Sequence, residues 1–203
     1  MIKAREALEL LREGNSRFVA DVRSRATLPS RALRTELASG QAPFAAILGC
    51  SDSRVPVEIV FDQGLGDLFV IRVAGNIVAP SQIGSVEFAA EQFGTRLVVV
   101  LGHSNCGAVQ ATLEQLKRPR ENQSRNLRSI VDLVRPAVEG LIARGVGSDP
   151  QALVNEAVRA NIKASVDRLR HGSEIIEHLI QNDGLLVVGA EYSLATGVVE
   201  FLE

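Results

Sequence analysis

The chain has few cysteines and no long hydrophobic run. It contains two cysteines, three histidines and no tryptophan in 203 residues. Two cysteines suit a reducing compartment, where they are thiols, ligands or nucleophiles rather than a disulfide framework. No segment has the roughly 18 apolar residues that a membrane-spanning helix needs, and the charged N-terminus is not a signal peptide. We therefore expect a cytoplasmic protein without a membrane partner, unless a leader was removed from this sequence.

The charge balance gives no sign of a nucleic-acid partner. The net charge is −2, from 22 basic and 24 acidic residues. The densest basic stretch, residues 117–128, contains a proline and a glutamate, and we predict a solvated loop leading into a helix there. Hydrophobic residues make up 46% of the chain, which excludes a disordered protein. The length fits one domain with a sizeable core.

Four nearly continuous apolar runs predict strands that are buried on both faces, as in a parallel sheet. They cover residues 45–49, 67–75, 96–104 and 185–193. Helix-periodic stretches at 4–18, 81–93, 108–116, 127–142, 150–169 and 173–182 surround or separate them. This alternation predicts a single α/β domain, with a mostly parallel central sheet of four to five strands flanked by helices.

The N-terminal region, residues 1–40, is predicted to be a helical arm in front of an α/β core at 41–203. Its first helix has an apolar stripe that must be covered. That stripe can lie on the sheet of its own chain or on a neighbouring subunit, and the residues alone leave both open. We predict the contact with a neighbouring subunit.

Chemically reactive residues follow two of the predicted strands. Cys50 and Asp52 come directly after the first, and His103 and Cys106 follow the third. Ligands of open α/β sheets bind at the carboxyl ends of the strands, so these residues are expected to form one site. Three glycines allow close backbone approach beside them: Gly49, Gly102 and Gly107.

Two thiols, an imidazole and a carboxylate are a suitable tetrahedral ligand set for zinc, because thiolates favour zinc over magnesium or calcium. The spacing C-x-D with H-x-x-C is not that of a zinc finger. We predict a catalytic zinc. A disulfide between Cys50 and Cys106, two inert buried cysteines and a purely structural zinc remain as alternatives.

Arg54 stands two residues after Asp52, where its guanidinium can form a bidentate bond with the carboxylate. A carboxylate that can move between zinc and arginine acts as a switch. With Asp52 on Arg54, the fourth position on zinc opens for water, whose pKa the metal lowers. The alternative for Arg54 is an ordinary loop salt bridge.

The motifs CSDSR, FVIRVAGN and GHSNCGA together resemble those of the β-class carbonic anhydrases, and the resemblance extends over nearly the whole chain. It implies reversible hydration of CO2 to bicarbonate and a proton by a zinc-bound hydroxide, with one zinc per chain. Cys50, His103 and Cys106 would be the permanent ligands and Asp52 the exchangeable fourth. Paired with Arg54, Asp52 would orient the hydroxide by accepting its hydrogen bond.

The same resemblance implies a substrate pocket. Its candidate residues are Gln41, Phe69, Phe88 and Gly107. Gln41 would donate an amide hydrogen bond to a substrate oxygen, and the phenylalanines would form an apolar wall. These side chains are expected to meet the zinc of a partner subunit, so a homodimer is the minimum and a homotetramer is expected. From the residues alone, Gln41 could also be a surface loop residue and both phenylalanines plain core.

Two positions depart from patterns of the family. Phe88 stands where this pocket type usually has a tyrosine, so the hydroxyl is lost. Ile47 stands where relatives with a regulatory bicarbonate site have a tryptophan. We therefore expect no tryptophan-based bicarbonate site, although Arg72 of that type is kept.

Two other functions remain open at this point. Relatives with the same scaffold hydrolyse carbonyl sulfide or carbon disulfide, which are also linear three-atom molecules. A non-catalytic zinc-binding module would need no exchangeable ligand, so an intact Asp52–Arg54 pair disfavours it.

Overall fold

The fold is built on one five-stranded sheet. The computed structural model describes residues 2–24, 30–117, 124–143 and 149–202. The strands are β1 (Ala45–Gly49), β2 (Leu68–Arg72), β3 (Leu97–His103), β4 (Leu186–Tyr192) and β5 (Val199–Leu202). Their order is β2-β1-β3-β4-β5, with the first four parallel and β5 antiparallel to β4. The predicted, mostly parallel sheet is confirmed.

Eight helices are described around this sheet. They are α1 (Ala4–Val19), α2 (Arg31–Leu37), α3 (Val57–Val60), α4 (Pro80–Gln92), α5 (Gly107–Lys117), α6 (Arg125–Ala143), α7 (Pro150–His171) and α8 (Glu174–Asn182). A 3-10 turn at Ala74–Asn76 follows β2. None of the helices in the described ranges is both long enough and apolar enough to cross a membrane.

Apolar side chains of the central strands enter two separate cores because successive residues of a strand point to opposite faces. Ala46 and Leu48 lie in the core that α4 to α8 cover, and Ala45 and Ile47 lie in the core that α1 and α3 cover. All residues of β1 and β3 are buried. This two-sided burial explains why their sequences are continuous apolar runs rather than alternating patterns.

Helix α1 packs on the sheet of its own chain. Ala7 and Leu11 are fully buried there and belong to the same core as Ile47. Asn15 fastens the end of the helix by donating to the carbonyls of Val60 and Gly197. The apolar stripe of the first helix therefore covers the sheet of its own chain. Contact of the arm with a neighbouring subunit stays a prediction.

The ends of the later helices follow from their capping residues. Asp149 accepts a hydrogen bond from the amide of Gln151 at the start of α7, and Pro150 occupies the first helical position, as predicted. Ser173 likewise caps α8. Of the predicted basic loop, residues 118–123 lie outside the described ranges, and α6 already begins at Arg125.

Candidate metal centre

The carboxyl ends of β1 and β3 lie side by side and bring three candidate ligands together. Gly49, the last residue of β1, pairs with Leu101, so Cys50 and His103 leave neighbouring strands at the same edge. Cys106 follows after a short turn, just before α5. The ligand atoms of Cys50, His103 and Cys106 all lie within 4.8 Å of one another, and all three residues are buried.

The imidazole of His103 is oriented for metal binding. Its Nδ1 lies 2.9 Å from the carbonyl oxygen of Ser104, which can only accept, so Nδ1 carries the proton. In the neutral ring, Nε2 then has a free lone pair. This atom is buried and has no hydrogen-bond partner in the described part of the chain. A buried polar atom without a partner is costly, and a metal ion between the two sulfurs would satisfy it.

Both cysteines are free thiols, so the disulfide alternative is not what the structure contains. A hydrogen bond between them lowers the pKa of Cys50 and raises the pKa of Cys106. Burial acts against ionisation of either group. The amide of Gly75 also donates to the sulfur of Cys50 at 3.3 Å. Two adjacent sulfurs beside an imidazole form a soft donor set that fits a transition-metal ion such as zinc.

Asp52 is bound to Arg54 by three hydrogen bonds. The Nε and Nη2 atoms of Arg54 donate to its two carboxylate oxygens at 2.9 and 2.7 Å, and the Arg54 amide donates at 3.0 Å. This fork holds the pKa of Asp52 well below its usual range. Its Oδ2 lies 3.8 Å from Nε2 of His103. The carboxylate therefore adjoins the candidate ligands while it is bonded to arginine.

Arg72 holds the loop between these residues, a contact that the sequence did not predict. Its Nε donates to the carbonyl of Cys50 at 3.0 Å, and its Nη2 donates to the carbonyl of Asp52 at 2.6 Å. The register Gly49↔Arg72 places it directly beside the loop. The sequence marked Arg72 only as a residue shared with relatives that have a regulatory bicarbonate site, and gave no sign of this contact. In this chain the Arg72 side chain is hydrogen-bonded to the backbone of Cys50 and Asp52.

Packing requires a glycine at one of the two positions next to the candidate ligands but not at the other. A Cβ on Gly102 would lie 2.5 Å from side-chain atoms of Ile162, so α7 can pack beside His103 only because Gly102 has no side chain. Gly107 is exposed at the start of α5, and a Cβ there would meet nothing within 4 Å. Packing therefore explains Gly102 but gives no reason for Gly107.

The remaining pocket candidates lie at the other end of the sheet from the donor set. Phe69 pairs with Ala46, four residues before Cys50, which is about 13 Å along the strand. Phe88 on α4 contacts Phe69 and Phe93, with ring centroids 6.1 and 5.6 Å away, and it is 51% exposed. Gln41 is exposed ahead of β1. One chain does not bring these side chains to its own cysteines.

Comparison with known proteins gives the class of the chain. A protein family described as carbonic anhydrase matches residues 45–199. Carbonic anhydrase 2 of Mycobacterium tuberculosis is 40% identical over 193 residues, which cover 94% of this chain and 89% of that protein. A carbonic anhydrase of Mycolicibacterium smegmatis is 39% identical over 196 residues, covering 96% and 91%.

Solved structures agree with this class. The β-carbonic anhydrase CafA of Aspergillus fumigatus superimposes with a TM-score of 0.76 at 27% identity, covering 85% of this chain and 81% of that one. A Coccomyxa β-carbonic anhydrase in complex with acetazolamide has a TM-score of 0.74 at 25% identity, covering 100% and 87%. The chain belongs to the β-carbonic anhydrase family, metalloenzymes that interconvert CO2 and bicarbonate. The family and enzyme class predicted from the motifs are confirmed.

Proposed function

We propose that this enzyme hydrates CO2 reversibly to bicarbonate and a proton with one zinc ion per chain, held by Cys50, His103 and Cys106. One observation carries the proposal. The Nε2 atom of His103 is buried and has no hydrogen-bond partner in the described ranges, and a ring nitrogen of His103 lies within 4.8 Å of both sulfurs. When bound there, zinc would supply the Lewis acidity that makes water a nucleophile at neutral pH.

Asp52 is proposed to exchange between Arg54 and the fourth position of the metal. Its carboxylate lies 3.8 Å from Nε2 of His103 and is held in the fork of Arg54. In this position one carboxylate oxygen can accept a hydrogen bond from the attacking oxygen and so fix the direction of its lone pair. Arg72 supports this arrangement because it donates hydrogen bonds to the carbonyls of Cys50 and Asp52.

The substrate pocket is proposed to form between two subunits. Phe69, Phe88 and Gln41 lie at the opposite end of the strands from the cysteines of their own chain. Exposed aromatic side chains beside an edge strand are typical of protein interfaces. We therefore propose a homodimer in which these side chains and Gly107 line the pocket, the phenylalanines as an apolar wall and Gln41 as a donor to a substrate oxygen.

A homotetramer is the larger assembly that we propose. Two β-carbonic anhydrases of Sordaria macrospora are described as tetrameric, and one superimposes with a TM-score of 0.75 at 25% identity, covering 83% of this chain and 85% of that one. Among the described residues, each edge strand of the sheet, β2 and β5, pairs with one strand, so each leaves a side for further contacts.

The substitution Cys106→Ser tests the ligand set. A serine hydroxyl is a poor zinc ligand, so we expect the purified variant to contain far less than one zinc per chain. The control is Thr112→Val, a fully buried position in α5 outside the donor set, which should keep one zinc per chain. Stoichiometric zinc in Cys106→Ser, measured by metal analysis after dialysis, would show that the proposed ligands are wrong.

A further inference from the structure

The sulfur of Cys50 receives a hydrogen bond from a backbone turn of unusual conformation. The amide of Gly75 donates to it at 3.3 Å. Gly75 has φ +73° and the following Asn76 has φ +43°, so two consecutive residues lie in the left-handed region. Glycine and asparagine are among the residues that adopt this conformation at least cost. The turn at Gly75 and Asn76 directs the Gly75 amide, so contacts that hold the turn also hold the amide on the sulfur.

Two polar side chains of α7 hold this turn. The Nδ2 atom of Asn161 donates to the carbonyl of Gly75 at 2.8 Å, and the hydroxyl of Ser165 donates to the carbonyl of Asn76 at 3.1 Å. Asn161 and Ser165 are four residues apart and therefore lie on one face of the helix. Each is only 2% exposed.

The surroundings of these two side chains are otherwise apolar. Val158, Ile162 and Val166 of the same helix are buried in the core that contains Cys50 and Cys106. A buried amide or hydroxyl is unfavourable in such a core unless it makes hydrogen bonds. Asn161 and Ser165 use theirs on two successive carbonyls, both belonging to the turn that contacts the sulfur. An apolar pair at these positions would remove both of these donors from the carbonyls of Gly75 and Asn76.

We propose that Asn161 and Ser165 are positioning residues of the metal centre. Through the turn at Gly75 and Asn76 they keep the Gly75 amide on the sulfur of Cys50, and this contact sets the affinity of the site for metal and the donor strength of the thiolate. Hydrogen bonds from outside the ligand set orient ligands and tune metals in this way. The inference rests on the proposed metal site.

The test uses the full-length protein with Co²⁺ in place of zinc, because cobalt bound to thiolate has a sulfur-to-metal absorption band. We expect Asn161→Ala to move this band to longer wavelength, since a thiolate that loses an N–H donor gives up electron density more readily. Zinc affinity, measured by competition with a chromophoric chelator, should fall by about 10- to 100-fold.

The matched control is Asn15→Ala. Asn15 is also buried and also bonds to backbone, but it belongs to α1, whose buried apolar side chains pack on the other face of the sheet. Its loss should lower the melting temperature without moving the cobalt band or the zinc affinity. If Asn161→Ala behaves like Asn15→Ala, its role is only structural and the proposal is overturned.

A second variant covers the case in which Asn161→Ala does not fold. Ser165→Ala removes a single hydroxyl and should shift the band and the affinity in the same direction by less. An unchanged band and affinity in Ser165→Ala would then overturn the proposal. A wild-type cobalt protein without any sulfur-to-metal band would instead overturn the proposed metal site, and this inference with it.

Discussion

At the scale of single residues, the carboxylate of Asp52 is bonded firmly enough to be oriented and loosely enough to move. It accepts three hydrogen bonds from Arg54, but more than half of the Arg54 side chain is in water. Ion pairs at such exposed positions contribute little stability, so water can replace the guanidinium when the carboxylate leaves. This is the property that an exchangeable ligand needs.

The substitution Asp52→Asn tests this role. The amide keeps the size of the carboxylate but loses its charge and presents an N–H₂ group, so the fork of Arg54 is lost. We expect the zinc content to stay near one per chain and the turnover to fall on the order of a hundredfold, because the attacking oxygen is no longer oriented. Metal analysis and stopped-flow CO2 hydration measure the two quantities.

The control for Asp52→Asn is Asp183→Asn. Asp183 also forms an ion pair with an arginine, Arg96, but at the far end of the sheet from the metal centre. Its loss should leave turnover unchanged. Normal turnover in Asp52→Asn would remove the orienting role.

The sequence could predict that the candidate ligands Cys50, His103 and Cys106 lie together, but not the groups that support them. Cys50 follows one buried strand and His103 ends another, and the ends of parallel strands lie at one edge of the sheet, so position along the chain was sufficient to group them. Gly75 and Asn161 are 86 residues apart and meet only after α7 has packed on the sheet. A single asparagine within a long helical pattern carries no sign of such a contact.

At the scale of elements, α7 determines how closely the metal centre is covered. Ile162 of α7 fills the space that a side chain on Gly102 would need, one residue before His103. The same helix supplies the donors to the turn at Gly75 and Asn76. The helix therefore contacts the backbone beside two of the three proposed ligands.

We predict that Gly102→Ala destabilises the protein by about 1–3 kcal/mol, because its Cβ would overlap Ile162 and force the helix or the strand to shift. Gly140→Ala is the control. A Cβ on Gly140 meets nothing within 4 Å, and in the interior of α6 alanine should stabilise by about 0.5–1 kcal/mol. Urea unfolding measures both, and equal midpoints would contradict the packing argument.

The sequence did not predict the elements that lack a clear apolar pattern. The seven residues of α2 include no buried side chain, so no stripe marks that helix. The four residues of β5 pair antiparallel with β4 after a tight turn, and a run this short does not stand out. By contrast, β1 and β3 are buried throughout, and their composition alone predicted them.

At the scale of the whole molecule, the single chain leaves part of an aromatic cluster exposed to water. Phe69, Phe88 and Phe93 contact one another beside the edge strand β2, and about half of Phe88 remains in water. In the proposed dimer this cluster faces the metal centre of the partner. Assembly and activity should therefore depend on the same side chains.

The substitution Phe88→Asp tests that link. A charge at the interface should dissociate the dimer, and turnover should fall although each chain still binds zinc. Leu127→Asp is the control, because Leu127 is a similarly exposed apolar residue on α6. In Phe88→Asp, the oligomeric state measured by analytical ultracentrifugation and the turnover measured by stopped-flow kinetics should both change. In Leu127→Asp, neither quantity should change. A fully active monomer would contradict a shared pocket.

The most direct test of the central claim is stopped-flow CO2 hydration from about pH 6.5 to pH 9, on protein whose zinc content is measured in the same batch. The Arg54 fork holds the pKa of Asp52 well below its usual range, so Asp52 stays ionised throughout and any rise in activity reports another group. The account predicts one zinc per chain and activity that rises with pH. One zinc per chain with no CO2 hydration at any pH would contradict it.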